Sequence, residues 1–321
     1  MTTHKQHAPI SLAEVAPELR ERTRRMPPIP ISTALGRWII RQAFKLVPDR
    51  QVEGVRFEKR TTANGVELRI YTPEDALTGV GLLWIHGGGL VIGNAKQDNG
   101  FCAETARQLG IVVISTEYRL APDFPFPAAL DDCHAAWTWL QAAAAELNVD
   151  PGCVAIGGQS AGGGLAASLV QRLHDAGGVQ PAAQWLFCPM LDDRTAARHD
   201  LDGVKHFIWN NRNNRVGWRA YLGIDPGAGQ VPPYAVPARR ESVAGLPPAW
   251  IGSGDIELFF EENQAYAERL QASGVHCTFD VVAGAPHGFE SIAANSALAQ
   301  AYLARSRAWL RQVLSDARLG E

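Results

Sequence analysis

Residues 154–164 read VAIGGQSAGGG. A short apolar run ends at a serine set among glycines, and a helix-length segment follows over 160–175. Gly158, Gln159, Ser160, Ala161 and Gly162 form G-x-S-x-G at a strand-to-helix junction. A serine so placed sits on a turn tight enough to lift its Oγ clear of a sheet. Residues two before and two after it come too close to neighbouring backbone to carry a Cβ comfortably. With 31 glycines in 321 residues, composition alone would produce this pentapeptide about once in ten such chains. The strand before it and the helix after it are what raise it above chance. A phosphate-binding G-x-G-x-x-G is the rival reading. GGQSAGGG has the wrong spacing for it, and no acidic residue about 20 positions on ends a following strand.

Outward from this junction, short apolar runs recur: GLLWIH (81–86), IVVISTEY (111–118), QWLFCP (184–189), AWIGSG (249–254) and CTFDVVAG (277–284). Helix-length segments such as 128–147 separate most of them. Apolar strands alternating with helices predict an α/β domain with a mainly parallel sheet covered on both faces. Ahead of them, VRFEKR (55–60) and VELRIY (66–71) alternate and are joined through Asn64-Gly65, a hairpin that adds antiparallel strands at one edge. The interval 192–247 is far longer than one crossover helix needs and carries FIWNNRNNRVGWRAYLG and VPPYAVPAR. The first fifty residues hold two helical segments split by MPPIP (26–30). We expect a single domain over 1–321 with a helical cap from about 1–50 and 192–247, lying over the sheet's carboxyl edge.

Composition excludes several classes. Formal net charge is −3 and 20% of residues are charged, so no nucleic acid partner is expected. The basic cluster RERTRR (20–25) reads as a solvated helix face. Five cysteines, odd in number and without a C-x-x-C pair, read as buried free thiols in a reducing compartment. His199 and His206 have no third ligand near them in sequence, so no metal site is expected. The first residues are polar, and no apolar run approaches membrane-span length, so a cytoplasmic protein without membrane contact is expected.

In sheets of this type, sites form beyond the carboxyl ends of the strands. After GLLWI comes His86-Gly87-Gly88-Gly89. Consecutive glycines there let backbone N–H groups face a developing negative charge, with a further N–H from Ala161 after the serine. His86, at the strand end, reads as a loop-holding residue rather than a base. Near the other end, GAPHGF places His287 on a loop after the last strand. The order serine, acid, histidine suits an imidazole of pKa about 6.5 that takes the serine proton and returns it. Two carboxylates compete for the acid's place, Asp255 and Glu257.

HGGGLVIG (86–93), YRLAPDFPFPAALDD (118–132), GGQSAGGGLAA (157–167) and GAPHGF (284–289), in this order, resemble the hormone-sensitive-lipase-like family of α/β-hydrolase esterases. The resemblance runs from about residue 50 to the end. It implies the α/β-hydrolase fold and a serine carboxylesterase that hydrolyses small short- to medium-chain carboxylic esters without a cofactor. It implies Ser160 as nucleophile, His287 as base, and the Gly87, Gly88 and Ala161 amides as oxyanion donors. The residue before the nucleophile is often acidic in that family, and here it is Gln159. Aligning on Tyr266-Ala267 sets Glu257 at the family's acid position, and leaves Asp255 as a strand-end or turn residue. Family analogy also implies a homodimer. A non-catalytic small-molecule receptor on this fold lacks the histidine that this chain keeps. An amidase or lactonase would share the same triad. Phe207, Trp209 and Trp218 are candidates either to line an apolar pocket or to pack the cap's own core.

Overall fold

The structure, a computed structural model, describes residues 8–48, 52–75 and 79–319. Among these residues eight strands form one sheet: β1 (Val55–Thr61), β2 (Glu67–Pro73), β3 (Gly81–Ile85), β4 (Val112–Thr116), β5 (Val154–Gln159), β6 (Ala183–Phe187), β7 (Ala249–Gly254) and β8 (Cys277–Val282). Their order is β1-β2-β4-β3-β5-β6-β7-β8. β1 and β2 pair antiparallel, β2 meets β4 antiparallel, and every other pairing is parallel. The hairpin forms as its sequence asks. Gly65 adopts φ 83° and donates its N–H to Thr62 O at 2.9 Å, closing the turn.

Among the described residues ten helices surround the sheet: α1 (Pro17–Arg25), α2 (Ala34–Lys45), α3 (Asn99–Leu109), α4 (Ala128–Ala143), α5 (Ala161–Ala176), α6 (Asp193–Ala197), α7 (Asn211–Leu222), α8 (Phe260–Ala272), α9 (Phe289–Ile292) and α10 (Ala297–Leu319). The central strands are buried on both faces, so their apolar residues alternate between two cores. Leu83 and Ile85 of β3 join a core with Leu130 of α4, Leu165 of α5 and Tyr266 of α8. Leu82 and Trp84 join the opposite core, with Ala106 of α3 and Leu310 of α10. This is the doubly covered, mainly parallel sheet that unbroken apolar runs predict.

The long interval between β6 and β7 folds as α6, α7 and short 3₁₀ turns. Helix α7 begins with the Asn210 side chain accepting from Asn213 N–H at 3.0 Å and ends at Gly223, φ 70°. The N-terminal segment ties into it: Ile10 N–H donates to Val204 O at 2.8 Å, and Asn213 Nδ2 to Ile29 O. Arg41 of α2 reaches the carbonyls of Val91 and Ala121, at 2.9 and 2.8 Å. In α1, Leu19 and Thr23 are buried, while Arg24 and Arg25 pair with Glu21 on the outer face. All five cysteines are free thiols; four are buried as expected, and Cys277 is partly exposed at the edge strand β8. Among the described residues no helix is long and apolar enough to cross a membrane.

Candidate active site

Ser160 lies between β5 and α5 with φ 55° and ψ −119°, a conformation that L-residues adopt at a cost of roughly 1–3 kcal/mol. Three backbone hydrogen bonds hold it there. Its N–H donates to Phe187 O at 2.8 Å, and its carbonyl accepts from Gly164 at 3.0 Å and Met190 at 2.9 Å. The neighbouring glycines are required by close approach. A Cβ on Gly162 would stand 2.1 Å from Ile85 O, and one on Gly158 2.3 Å from Gly162 O. The serine therefore occupies the head of α5, where helix amides point outward with no helical acceptor.

β3 delivers the second element. His86 is fully buried; its Nδ1 donates to Gly87 O at 2.8 Å and its ring stacks on Tyr118 at 4.2 Å. Burial pushes the imidazole down to about 4, against the Gly87 hydrogen bond that pulls it up. It is a neutral, loop-holding histidine, as its strand-end position suggested. The Gly88 carbonyl turns away to accept from Val91 at 3.2 Å and Ile92 at 3.0 Å. That turn needs φ +130° at Gly88, where a Cβ would lie 2.0 Å from Ile92 O. The amides of Gly87, Gly88 and Ala161 donate to no protein acceptor among the described residues. Gly87 stands beside the serine: a Cβ built on it would be 3.4 Å from Ser160 Cβ.

The remaining groups follow β7 and β8. His287 Nε2 accepts from Ser160 Oγ at 2.9 Å, and its Nδ1 donates to Glu257 Oε2 at 2.8 Å. The Glu257 carboxylate is buried with every side occupied. Ser253 Oγ reaches Oε1 at 2.9 Å, Asn263 Nδ2 reaches Oε1 at 3.3 Å, and Phe259 N–H reaches Oε2 at 3.0 Å. The Phe259 ring meets the imidazole edge-on at 5.2 Å. Asp255 lies elsewhere. It is exposed, and its Oδ1 accepts from Gly284 N–H at 2.7 Å, tying the end of β7 to the turn after β8.

Several members of this neighbourhood carry no motif. Ser253 and Asn263 bond Glu257 from four residues before and six after it. Glu290 is buried three residues beyond His287, and Gln159 bridges to it: Nε2 donates to Glu290 Oε1 at 2.5 Å and to Ser291 Oγ at 2.8 Å. Burial raises the Glu290 carboxyl, and the Gln159 amide offsets part of that. The unusual residue before the serine was the one sequence signal for this contact, and a neutral amide is the partner that a buried carboxylate accepts. The aromatic candidates divide. Trp209 and Trp218 are buried, the former with its ring against Gly89, while Phe207 is half-buried.

The profile of the alpha/beta hydrolase fold family matches residues 82–291. A carboxylic ester hydrolase, LipN of Mycobacterium tuberculosis, is 33% identical over 237 residues, which cover 71% of this chain and 61% of LipN. Among solved structures, a bacterial heroin esterase superposes with a TM-score of 0.88 at 33% identity, covering 95% of this chain and 99% of its own. Esterase LipW from Mycobacterium marinum follows at TM-score 0.85 and 32% identity, covering 96% and 98%.

Proposed function

The chain belongs to the α/β-hydrolase fold family and is closely related to its hormone-sensitive-lipase-like esterases, and from that premise we propose that it is a serine carboxylesterase acting on short- to medium-chain esters. The observation that carries the reading is the unbroken relay from Ser160 Oγ through the His287 imidazole to Glu257, at 2.9 and 2.8 Å, with a positive-φ serine at its head.

Chemistry follows from the donors and acceptors. Ser160 Oγ attacks the ester carbonyl carbon while His287 Nε2 takes its proton. The imidazolium is held by Glu257, whose carboxylate is fixed in place by donors from Ser253, Asn263 and the Phe259 amide. The carbonyl oxygen gains negative charge facing the amides of Gly87, Gly88 and Ala161, which need no reorganisation to receive it. His287 then returns the proton to the departing alkoxide. A water, deprotonated by the same nitrogen, attacks the acyl-enzyme, and the acid leaves as Ser160 regains its proton. Of the cap expected from about 1–50 and 192–247, residues 1–7, 49 and 50 lie outside the described residues; we assign 8–48 and 192–247 to it, on the contacts between Ile10 and Val204 and between Asn213 and Ile29.

An acyl-length series of p-nitrophenyl esters tests the proposal, with Ser160→Ala as control. Specificity constants should peak at roughly four to eight carbons, since added methylenes stop gaining burial once the pocket is filled. A maximum near sixteen carbons, or turnover that survives in the alanine variant, would overturn it. Including the matched p-nitroanilides separates esters from amides.

A further inference from the structure

Helix α7 turns one face toward the loops around Ser160. Asn214, Gly217, Trp218 and Tyr221 recur at the spacing that stacks side chains on one side of a helix. Gly217 fixes the direction of that face: a Cβ there would stand 2.6 Å from Gly89 O and 3.6 Å from the Met190 methyl. The face is polar and unsatisfied. Asn214 is 0% exposed, and neither its Nδ2 nor its Oδ1 has a hydrogen-bond partner. Trp218 and Tyr221 are each 2% exposed, and the indole N–H and phenol O–H are likewise unpartnered. A buried amide, indole N–H or hydroxyl without a partner costs about 1–3 kcal/mol each. Native proteins seldom leave three such groups together without a ligand or ordered water to meet them.

Trp218 and Tyr221 also line a small cavity with Leu90, Ala161, Ser168 and Met190. The space admits about one water-sized group. Its lining decides which half of an ester lies on its side of the serine. The leaving alcohol must lie on the His287 side, because that imidazole protonates it. No residue of the 284–293 segment lines the cavity, whereas Ala161, directly after the nucleophile, does. The cavity is therefore on the acyl side.

We propose that Asn214, Trp218 and Tyr221 form a polar subsite on helix α7 that recognises a hydroxyl or keto oxygen on a short acyl group. The inference rests on the esterase reading above for the identity of the acyl side. Asn214 and Tyr221 can both donate and accept, and Trp218 donates, which suits an uncharged oxygen substituent and gives no counter-charge for a carboxylate or an ammonium. A site built to hydrogen-bond such a group discriminates strongly against an isostere that lacks it, because its own polar groups are then left unpaired.

The test compares methyl 3-hydroxybutanoate with methyl 3-methylbutanoate, which differ by hydroxyl for methyl at matched size. The intact enzyme should favour the hydroxy ester by about tenfold or more in kcat/KM. Trp218→Phe, Tyr221→Phe and Asn214→Leu should each erode that ratio several-fold, and the two phenylalanine variants keep the test alive if the leucine variant does not fold. A ratio near one in the wild type, or a ratio unchanged in all folded variants, overturns the subsite and assigns these groups to solvent. Calorimetric titration of both esters into the Ser160→Ala variant separates the two readings. Selective binding without Ser160-dependent turnover in the parent would sink the esterase reading and keep the subsite. Turnover of both esters without selectivity would do the reverse.

Discussion

The carboxyl edge of the sheet and the inner face of α7 lie against each other, yet they treat buried polar groups in opposite ways. At the sheet edge, Glu257 has a partner for each lone-pair direction and His287 a partner on each nitrogen. On α7, Asn214, Trp218 and Tyr221 are as deeply buried and have none. The first arrangement suits a relay that must be in place before a substrate arrives, since preorganised groups stabilise charge without reorganising. The second suits a surface completed only by what it binds. The difference also has a backbone origin. The sheet edge is built on strand ends crowded by neighbouring main chain, while in the insertion Gly203, Gly223 and Gly229 have nothing within 4 Å of an added Cβ, and α7 meets main chain closely at Gly217.

This contrast breaks first, and most strongly, at Ser160. Ser160→Ala should lower kcat on p-nitrophenyl butanoate by on the order of 10⁶, as for other serine triads. Mass analysis should also find a serine-directed organophosphate attached at this residue alone. The acid sharpens the contrast next. Glu257→Gln should cost roughly 10³ to 10⁴ in kcat with the circular dichroism spectrum intact, because the imidazolium loses its partner. Asp255→Asn should cost less than about tenfold, since its oxygen can still accept from Gly284 N–H. If Asp255→Asn proves the crippling change, the partnered site is not the catalytic one.

Stability supplies two smaller tests. Gly162→Ala puts a methyl 2.1 Å from Ile85 O and should cost about 1–3 kcal/mol or more, read as a drop in melting temperature. Gly203→Ala, in the insertion with nothing within 4 Å of its new Cβ, should stay within about 0.5 kcal/mol. Equal effects would erase the distinction between a crowded edge and an open insertion. A pH-dependent effect concerns Asp98, which accepts from Trp84 Nε1 at 2.8 Å and whose carboxyl burial pushes up to about 7. The folded chain keeps a proton there that the unfolded chain releases near pH 4, so this group lowers stability as pH rises from about 4 to 7. His86, pushed down to about 4, works oppositely up to pH about 6.5. Asp98→Asn removes only the first contribution. Its melting temperature relative to wild type should therefore rise by a few degrees between pH 5 and 8. A difference that stays flat would mean that Asp98 does not titrate in this range.

Local patterns made much of this legible. Apolar runs of five to eight residues announce the strands, and each strand lies within two residues of its run; β7 at Ala249–Gly254 is fully buried, whereas β8 at the edge is only partly so. Asn64-Gly65 announced the hairpin, and the glycines around Ser160 announced a turn too crowded for side chains, because sterics of this kind act within a few residues. The register on Tyr266-Ala267 singled out Glu257 over Asp255, and the carboxylate beside His287 is Glu257. The start of the next helix was less legible. α8 begins at Phe260, so Glu257 sits on the turn before it rather than at a direct strand-to-helix handover.

What the sequence by itself determined is the order of elements and the backbone positions that must be glycine, since both follow from periodicity and short-range sterics. Only the tertiary structure decided which polar side chains meet. Ser253 and Asn263 reach Glu257 because a strand end and a helix start converge on it, and Gln159 reaches Glu290 across 131 residues of chain. The same holds for the α7 face. Asn214, Trp218 and Tyr221 read as ordinary polar and aromatic residues along a helix. Their lack of partners emerges only when α7 packs on Gly89 and Met190, because hydrogen-bond satisfaction belongs to a packed environment and has no period in the sequence.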